Sequence, residues 1–260
     1  MTSSDGMSDA SATLLEVRGI SKHFGAVQAL SDVTFEVNAA EVVGLVGDNG
    51  AGKSTLIKVI SGIVTPNSGE YLVDGHSIKV KAPNDVTRLG VATVYQDLAL
   101  CENLDVVANL YLGRELAGGG IAPLAALQEV RMERTALDLL ARLRVTIPNV
   151  RTPIAALSGG QRQSVAVARS VMWNARVVLL DEPTAALGVV QTRQVLDLVK
   201  TLRDEGLGVV IISHNLADVF EVCDRIVVLR LGRRVATFEG PDLNRERVVA
   251  AITGAEFGNA

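Results

Sequence analysis

Apolar residues follow two different periods along this chain. Leu14-Leu15-Glu16-Val17 and Val33-Thr34-Phe35-Glu36-Val37 alternate, which predicts strands with one buried face. Val42-Val43-Gly44-Leu45-Val46 is apolar throughout and runs into glycine, the pattern of a strand buried on both faces. Gly52 to Ser61 reads as helix. Tyr71-Leu72-Val73 and Ile78-Lys79-Val80 flank Asp74-Gly75-His76, which predicts a hairpin. Val91 to Tyr95 is a further short buried strand. From Asn103 to Trp173 the period lengthens: Leu127, Val130, Ala136, Leu137, Leu140 and Leu143 recur at helical spacing. That block predicts a helical insertion, with Gly118-Gly119-Gly120 as a loop inside it and a last helix over Arg162 to Trp173. Strand patterns return at Val177–Leu180, Gly208–Ile212, Arg225–Leu229 and Arg233–Phe238. Strands alternating with helices predict an α/β fold with a mainly parallel sheet.

Composition narrows the picture. The 260 residues are 48% hydrophobic but only 3% aromatic, so aliphatic side chains must fill the core. Residues 1–12, rich in Ser, Asp, Ala and Gly, are expected to be a disordered tail. Net charge is −4, and the basic cluster Arg131, Arg134, Arg142 and Arg144 is interleaved with Glu129, Glu133 and Asp138. That is a solvated helix face, and it argues against a nucleic-acid partner. Cys101 and Cys223 have no metal or disulfide spacing and are expected to be buried, reduced thiols. No apolar run approaches the roughly 18 residues that a membrane span needs, and Met1 to Thr13 is too polar for a secretory leader. A role at a membrane is therefore expected from the cytosolic side, through a partner.

Three runs carry chemistry. Gly47-Asp48-Asn49-Gly50-Ala51-Gly52-Lys53-Ser54 fits G-x-x-x-x-G-K-[ST] and lies between a buried strand and a helix. Its glycines let several N–H groups face one phosphate, Lys53 neutralises the β- and γ-phosphates, and Ser54 offers a hydroxyl to Mg²⁺. Val177-Val178-Leu179-Leu180-Asp181-Glu182 ends an apolar strand on two carboxylates. Asp181 suits the outer shell of Mg²⁺, and Glu182 suits a general base for water. Leu157-Ser158-Gly159-Gly160-Gln161 opens a helix with an N-cap serine and two glycines, either an anion site with no ligand nearby in its own chain or a plain helix N-cap. Gln96 and His214 each end an apolar strand, where Gln96 can touch Mg²⁺ or water; an ordinary strand-end residue is the alternative for both. Phe24 is a candidate for stacking on adenine, with an ordinary core aromatic as the alternative.

Together these motifs, in this order, resemble the nucleotide-binding subunit of ATP-binding cassette (ABC) transporters over about residues 13–250. The resemblance makes Phe24 the adenine-stacking aromatic, Gly47 to Thr55 the Walker A loop and Gln96 the Q-loop. It makes Leu157 to Gln161 the signature, Val177 to Asp181 Walker B, Glu182 the catalytic glutamate and His214 the switch histidine. It implies a P-loop NTPase (RecA-like) core at about 13–98 and 175–255, with an N-terminal antiparallel β part. A helical subdomain at about 99–174 completes a single domain over 13–255. It further implies ATP and Mg²⁺ as cofactors, and two subunits facing head to tail around two ATPs, a homodimer or a pair with another cassette. Permease subunits, contacted near Gln96 to Cys101, and indirectly a periplasmic solute-binding protein complete the expected assembly, at the cytoplasmic face of a bacterial inner membrane.

Finer strings resemble ATPases of bacterial ribose, xylose and fructose importers: Ser21 to Leu30, Val94 to Leu100, and Asp181 to Gly188. They point to monosaccharide import, with an exporter subunit, or a cassette acting in translation or DNA repair, as the alternatives. One position departs from the family: Gly188 stands where its D-loop usually has Asp.

Overall fold

The computed structural model describes residues 12–118 and 127–255. Most of the expected tail, residues 1–11, and Gly119-Gly120 of the glycine loop lie outside them. In chain order the elements are β1 (Thr13–Phe24), β2 (Val27–Asn38), β3 (Val42–Val46), α1 (Lys53–Ile60), β4 (Ser68–Val73), β5 (His76–Ser77), α2 (Pro83–Arg88) and β6 (Val91–Val94). There follow α3 (Val106–Tyr111), α4 (Glu129–Arg142), α5 (Gly159–Val171), β7 (Val177–Asp181), α6 (Val189–Asp204), β8 (Gly208–Ile212), α7 (Leu216–Val222), β9 (Arg225–Arg230), β10 (Arg233–Glu239) and α8 (Arg245–Thr253).

The strands form two sheets. One is antiparallel, in the order β2-β1-β4-β5; the other runs β10-β9-β3-β8-β7-β6. Its inner pairs are parallel and only β9–β10 is antiparallel. β3 shows why its sequence does not alternate. Val42 and Val46 enter the apolar cluster built with α3 to α6, while Val43 and Leu45 enter the cluster beneath α1 and the antiparallel sheet. With both faces covered, every position is apolar.

Four expectations are corrected. β1 and β2 run twelve residues each, well past the alternating stretches. The outer half of β1 reaches beyond the core, where neither face is selected for hydrophobicity. The Asp74-Gly75 turn forms, with both φ positive at 49° and 74°, but β5 pairs only His76 and Ser77. Ile78 still donates to the Tyr71 carbonyl, after which the chain turns away toward α2. On α4 the buried face is Met132, Ala136, Leu139 and Leu140, continued by Leu143. Leu127, Val130 and Leu137 are exposed instead, because Met132 and Leu139 complete the better stripe. Cys223 is buried but Cys101 only half-buried; both are unbonded thiols. No described helix is long and apolar enough to cross a membrane.

Candidate active site

The phosphate loop begins where β3 ends, near the centre of the six-stranded sheet. Gly47 has φ +152°, and a Cβ there would collide with the Leu229 carbonyl oxygen. Gly52 has φ +104°, and a Cβ would lie 2.8 Å from the Ala29 carbonyl oxygen. Only glycine fits either place. Gly50, Asp48 and Asn49 are exposed, Ala51 is buried, and the Ala51 N–H closes a turn on the Asp48 carbonyl at 3.1 Å. Lys53 opens α1, and its Nζ donates to the carbonyls of Gly47 at 2.7 Å and Asp48 at 3.0 Å. Ser54 is exposed on the first turn and Thr55 is half-buried.

β8 lies beside β3, and β7 beside β8, so the three loops leave one edge of the sheet together. Asp181 is the last residue of β7, opposite Ile212. Glu182 follows with φ +50°, and its N–H is bonded to the Ile212 carbonyl at 2.9 Å. Its Oε2 lies 2.8 Å from His214 Nδ1 and accepts the His214 backbone N–H at 3.4 Å. Gln96 lies exposed, two residues beyond the end of β6, the strand that pairs with β7. Phe24 is at the tip of the β1–β2 hairpin, 51% exposed, with Lys22 Nζ 5.1 Å from its ring centroid.

Burial holds the Lys53 ammonium below its ordinary pKa, against the opposing pull of Glu182, Asp48 and Asp181. Burial, then the neighbouring Glu182, pushes the Asp181 carboxyl up. Both charges are therefore disfavoured in the protein alone. A bound polyanion with a counter-cation would relieve both. Among the described residues no group of three or more His, Cys, Asp or Glu is arranged to hold a metal ion by itself.

The second anion motif stands apart. Ser158 caps α5, accepting the Gln161 N–H at 3.3 Å while its own N–H donates to Gln161 Oε1 at 3.0 Å. Gly159 and Gly160 lie against Leu187 and Gln191 near the start of α6, where a Cβ would come within 2.9 and 3.0 Å. The hydrogen bonds of Ser158 to Gln161 stay within α5, and none reaches the phosphate loop.

The family model described as ABC transporter matches residues 30–185. The chain belongs to the ABC transporter family. Over 245 residues it is 44% identical to the xylose/arabinose import ATP-binding protein of Sulfolobus acidocaldarius, covering 94% of this chain and 96% of the relative. It is also 44% identical over 250 residues to the fructose import ATP-binding protein of Rhizobium meliloti, covering 95% and 96%. Among solved structures it resembles the ADP conformation of an ATP-binding cassette of an ABC transporter, with TM-score 0.79 and 26% identity over 94% of this chain and 96% of that one. The fold is thus the P-loop NTPase core of an ABC cassette, with its antiparallel sheet and helices.

In this ABC cassette some contacts had no signal in the sequence. Arg169 of α5 donates to the carbonyls of Ala99 at 2.8 Å and Leu98 at 2.9 Å, strapping α5 to the segment after Gln96. Thr184 Oγ1 lies 2.6 Å from Asp218 Oδ2, joining the loop after β7 to α7. Each pair is far apart in sequence, and neither belongs to a local pattern.

Proposed function

We propose that the chain is the ATP-hydrolysing subunit of an importer for a monosaccharide. The observation that carries this is the convergence of Lys53, Asp181, Glu182 and His214 where parallel strands β3, β7 and β8 end. The near full-length similarity to xylose/arabinose and fructose import ATP-binding proteins supports the class of solute.

The phosphate loop would hold the triphosphate with its N–H groups and Lys53, and Phe24 would stack on adenine. A magnesium ion fits the half-buried Asp181, whose charged form is disfavoured by burial and by Glu182 more than Lys53 and Lys58 favour it, and would take its remaining ligands from phosphate and water. Ser54, Asp181 and Gln96 would hold it, and when bound it neutralises phosphate charge. Glu182, fixed by His214, would take the proton of the attacking water as oxygen bonds to the γ-phosphorus. The bond from that phosphorus to the β–γ bridging oxygen then breaks and ADP leaves.

Ser158 to Gln161 would close over the nucleotide of a second cassette, Thr55 completing the loop on its own side. Residues 99–174 would form the helical subdomain, between core segments 13–98 and 175–255. Between β6 and α5 a groove of about 270 Å³, lined by Tyr95, Asp97, Leu98, Arg169 and Trp173, supports a permease contact near Gln96 to Cys101. The protein would then work at the cytoplasmic face of a membrane, served from outside by a solute-binding protein.

The test is uptake of labelled monosaccharides by cells lacking this chain, complemented with wild type or Glu182→Gln. Loss of uptake of one sugar, restored only by wild type, is expected. Uptake of every sugar unchanged by the deletion would overturn the reading.

A further inference from the structure

The segment Glu182 to Gly188 is held at three points. At its start, Glu182 is bonded to Ile212 and His214. At its end, the Gly188 N–H meets Gln191 Oε1 at 3.3 Å, and Leu187 lies against the signature glycine Gly159. In the middle, Thr184 Oγ1 meets Asp218 Oδ2 at 2.6 Å. Glu182 and Ala186 have φ of +50° and +60°, backbone that non-glycine residues adopt only when their surroundings impose it. Turn bonds Ala185 N–H to Glu182 carbonyl, 3.1 Å, and Leu187 N–H to Thr184 carbonyl, 3.3 Å, do not fix the segment relative to the sheet. The Thr184 hydroxyl does, because its partner is on another element.

Asp218 is unusual for a residue outside the motifs. It is 7% exposed, on the third position of α7, and the helix-capping bond there is made by Asn215, which accepts the Ala217 N–H. No Lys or Arg pairs with it among the described residues. A carboxylate buried without a cation is costly. A short hydroxyl–carboxylate bond is among the stronger hydrogen bonds and has a definite direction. α7 also follows His214 directly, so one helix start fixes both the His214 loop and, through Asp218, the Glu182 loop.

We propose that Thr184 and Asp218 are a positioning pair for ATP hydrolysis, setting the segment that carries the Glu182 carboxylate at one end and the Leu187 wall of the signature at the other. This rests on the reading of Glu182 as the base. The pair acts through Glu182.

The experiment measures single-turnover phosphate release and nucleotide affinity on the full chain, with thermal unfolding as the folding control. Four variants are compared with wild type: Thr184→Val, Thr184→Ser, Glu182→Gln and Glu182→Gln/Thr184→Val. Thr184→Val keeps the shape and removes the donor; it should lose roughly tenfold in rate with ATP affinity unchanged. Thr184→Ser keeps the donor and should return the rate to within about twofold. On the Glu182→Gln background, Thr184→Val should add little, because both changes act on one carboxylate. A full-rate Thr184→Val, a Ser variant as slow as Val, or a fully additive double variant overturns the pair. Rate lost in Glu182→Gln but kept in Thr184→Val overturns the pair alone. Rate kept in Glu182→Gln overturns the base reading and the pair together.

Discussion

Lys53 and Asp181 share a cradle that disfavours the charged form of each, first through burial. The raised Asp181 pKa has a measurable sign. Its carboxyl binds a proton more tightly folded than unfolded, so its contribution is whole below the ordinary carboxylate range and is lost as pH rises through the raised value. Asp181→Asn removes that loss. At neutral pH and without nucleotide its melting midpoint should exceed wild type, and the gap should close as pH falls through the ordinary carboxylate range. A midpoint equal to or below wild type at neutral pH would contradict the burial argument. Turnover separates two further residues. Glu182→Gln should bind ATP normally and lose hydrolysis by about 10²-fold or more, the scale of a lost general base. Lys53→Ala should weaken binding itself, since it removes the loop's own cation. Labelled-nucleotide binding and phosphate release distinguish the two. Glycines 47 and 52, Lys53, Asp181 and Glu182 were legible because the chemistry demands those residue types at fixed spacing beside a buried strand. The 2.8 Å approach of His214 to Glu182 was not, since it arises only when β7 and β8 pair.

At the scale of elements, legibility followed burial. β8 (Gly208–Ile212) matches its apolar run residue for residue, and β7 and β9 extend theirs by one, because strands covered on both faces read as continuous runs. α4 was found as a helix but given the wrong face. Its amphipathic stripe is narrow, and exposed Val130 and Leu137 blur it. The energetic consequence is testable. Leu140 is 3% exposed, so Leu140→Ala should cost about 2–5 kcal/mol. Val130 is 84% exposed, so Val130→Ser should stay within about 0.5 kcal/mol. Urea unfolding at constant slope measures both. Equal costs would mean that the face is wrongly assigned.

At the scale of the whole molecule, the two stretches that the proposed function makes halves of one nucleotide site share no hydrogen bond within the chain. The phosphate loop leaves the end of β3 near the middle of the sheet, while Gly159 and Gly160 rest on Leu187 and Gln191. Beside that rest, Val189 and Val190 are 89% and 73% exposed, apolar surface at the start of α6. A two-fold pair in which each signature covers the other's triphosphate would complete both sites. Association should then depend on ATP, because only the closed pair gains the signature contacts. Glu182→Gln, which keeps the triphosphate, should run as a dimer with ATP in light scattering and mainly as a monomer with ADP. Adding Ser158→Arg should abolish the dimer and spare ATP binding: the cap is lost at the surface, and a bulky chain fills the phosphate's seat. A monomer at every concentration and with permease present would count against the sandwich. Gly188 is where coupling between the two sites can be read. Its φ is −75° and nothing lies within 4 Å of a Cβ built there, so the backbone does not require glycine. Gly188→Asp should therefore fold like wild type and change only cooperativity. A steeper dependence of hydrolysis on ATP in that variant would show that the glycine loosens the link between sites; an unchanged slope would show that the link runs elsewhere.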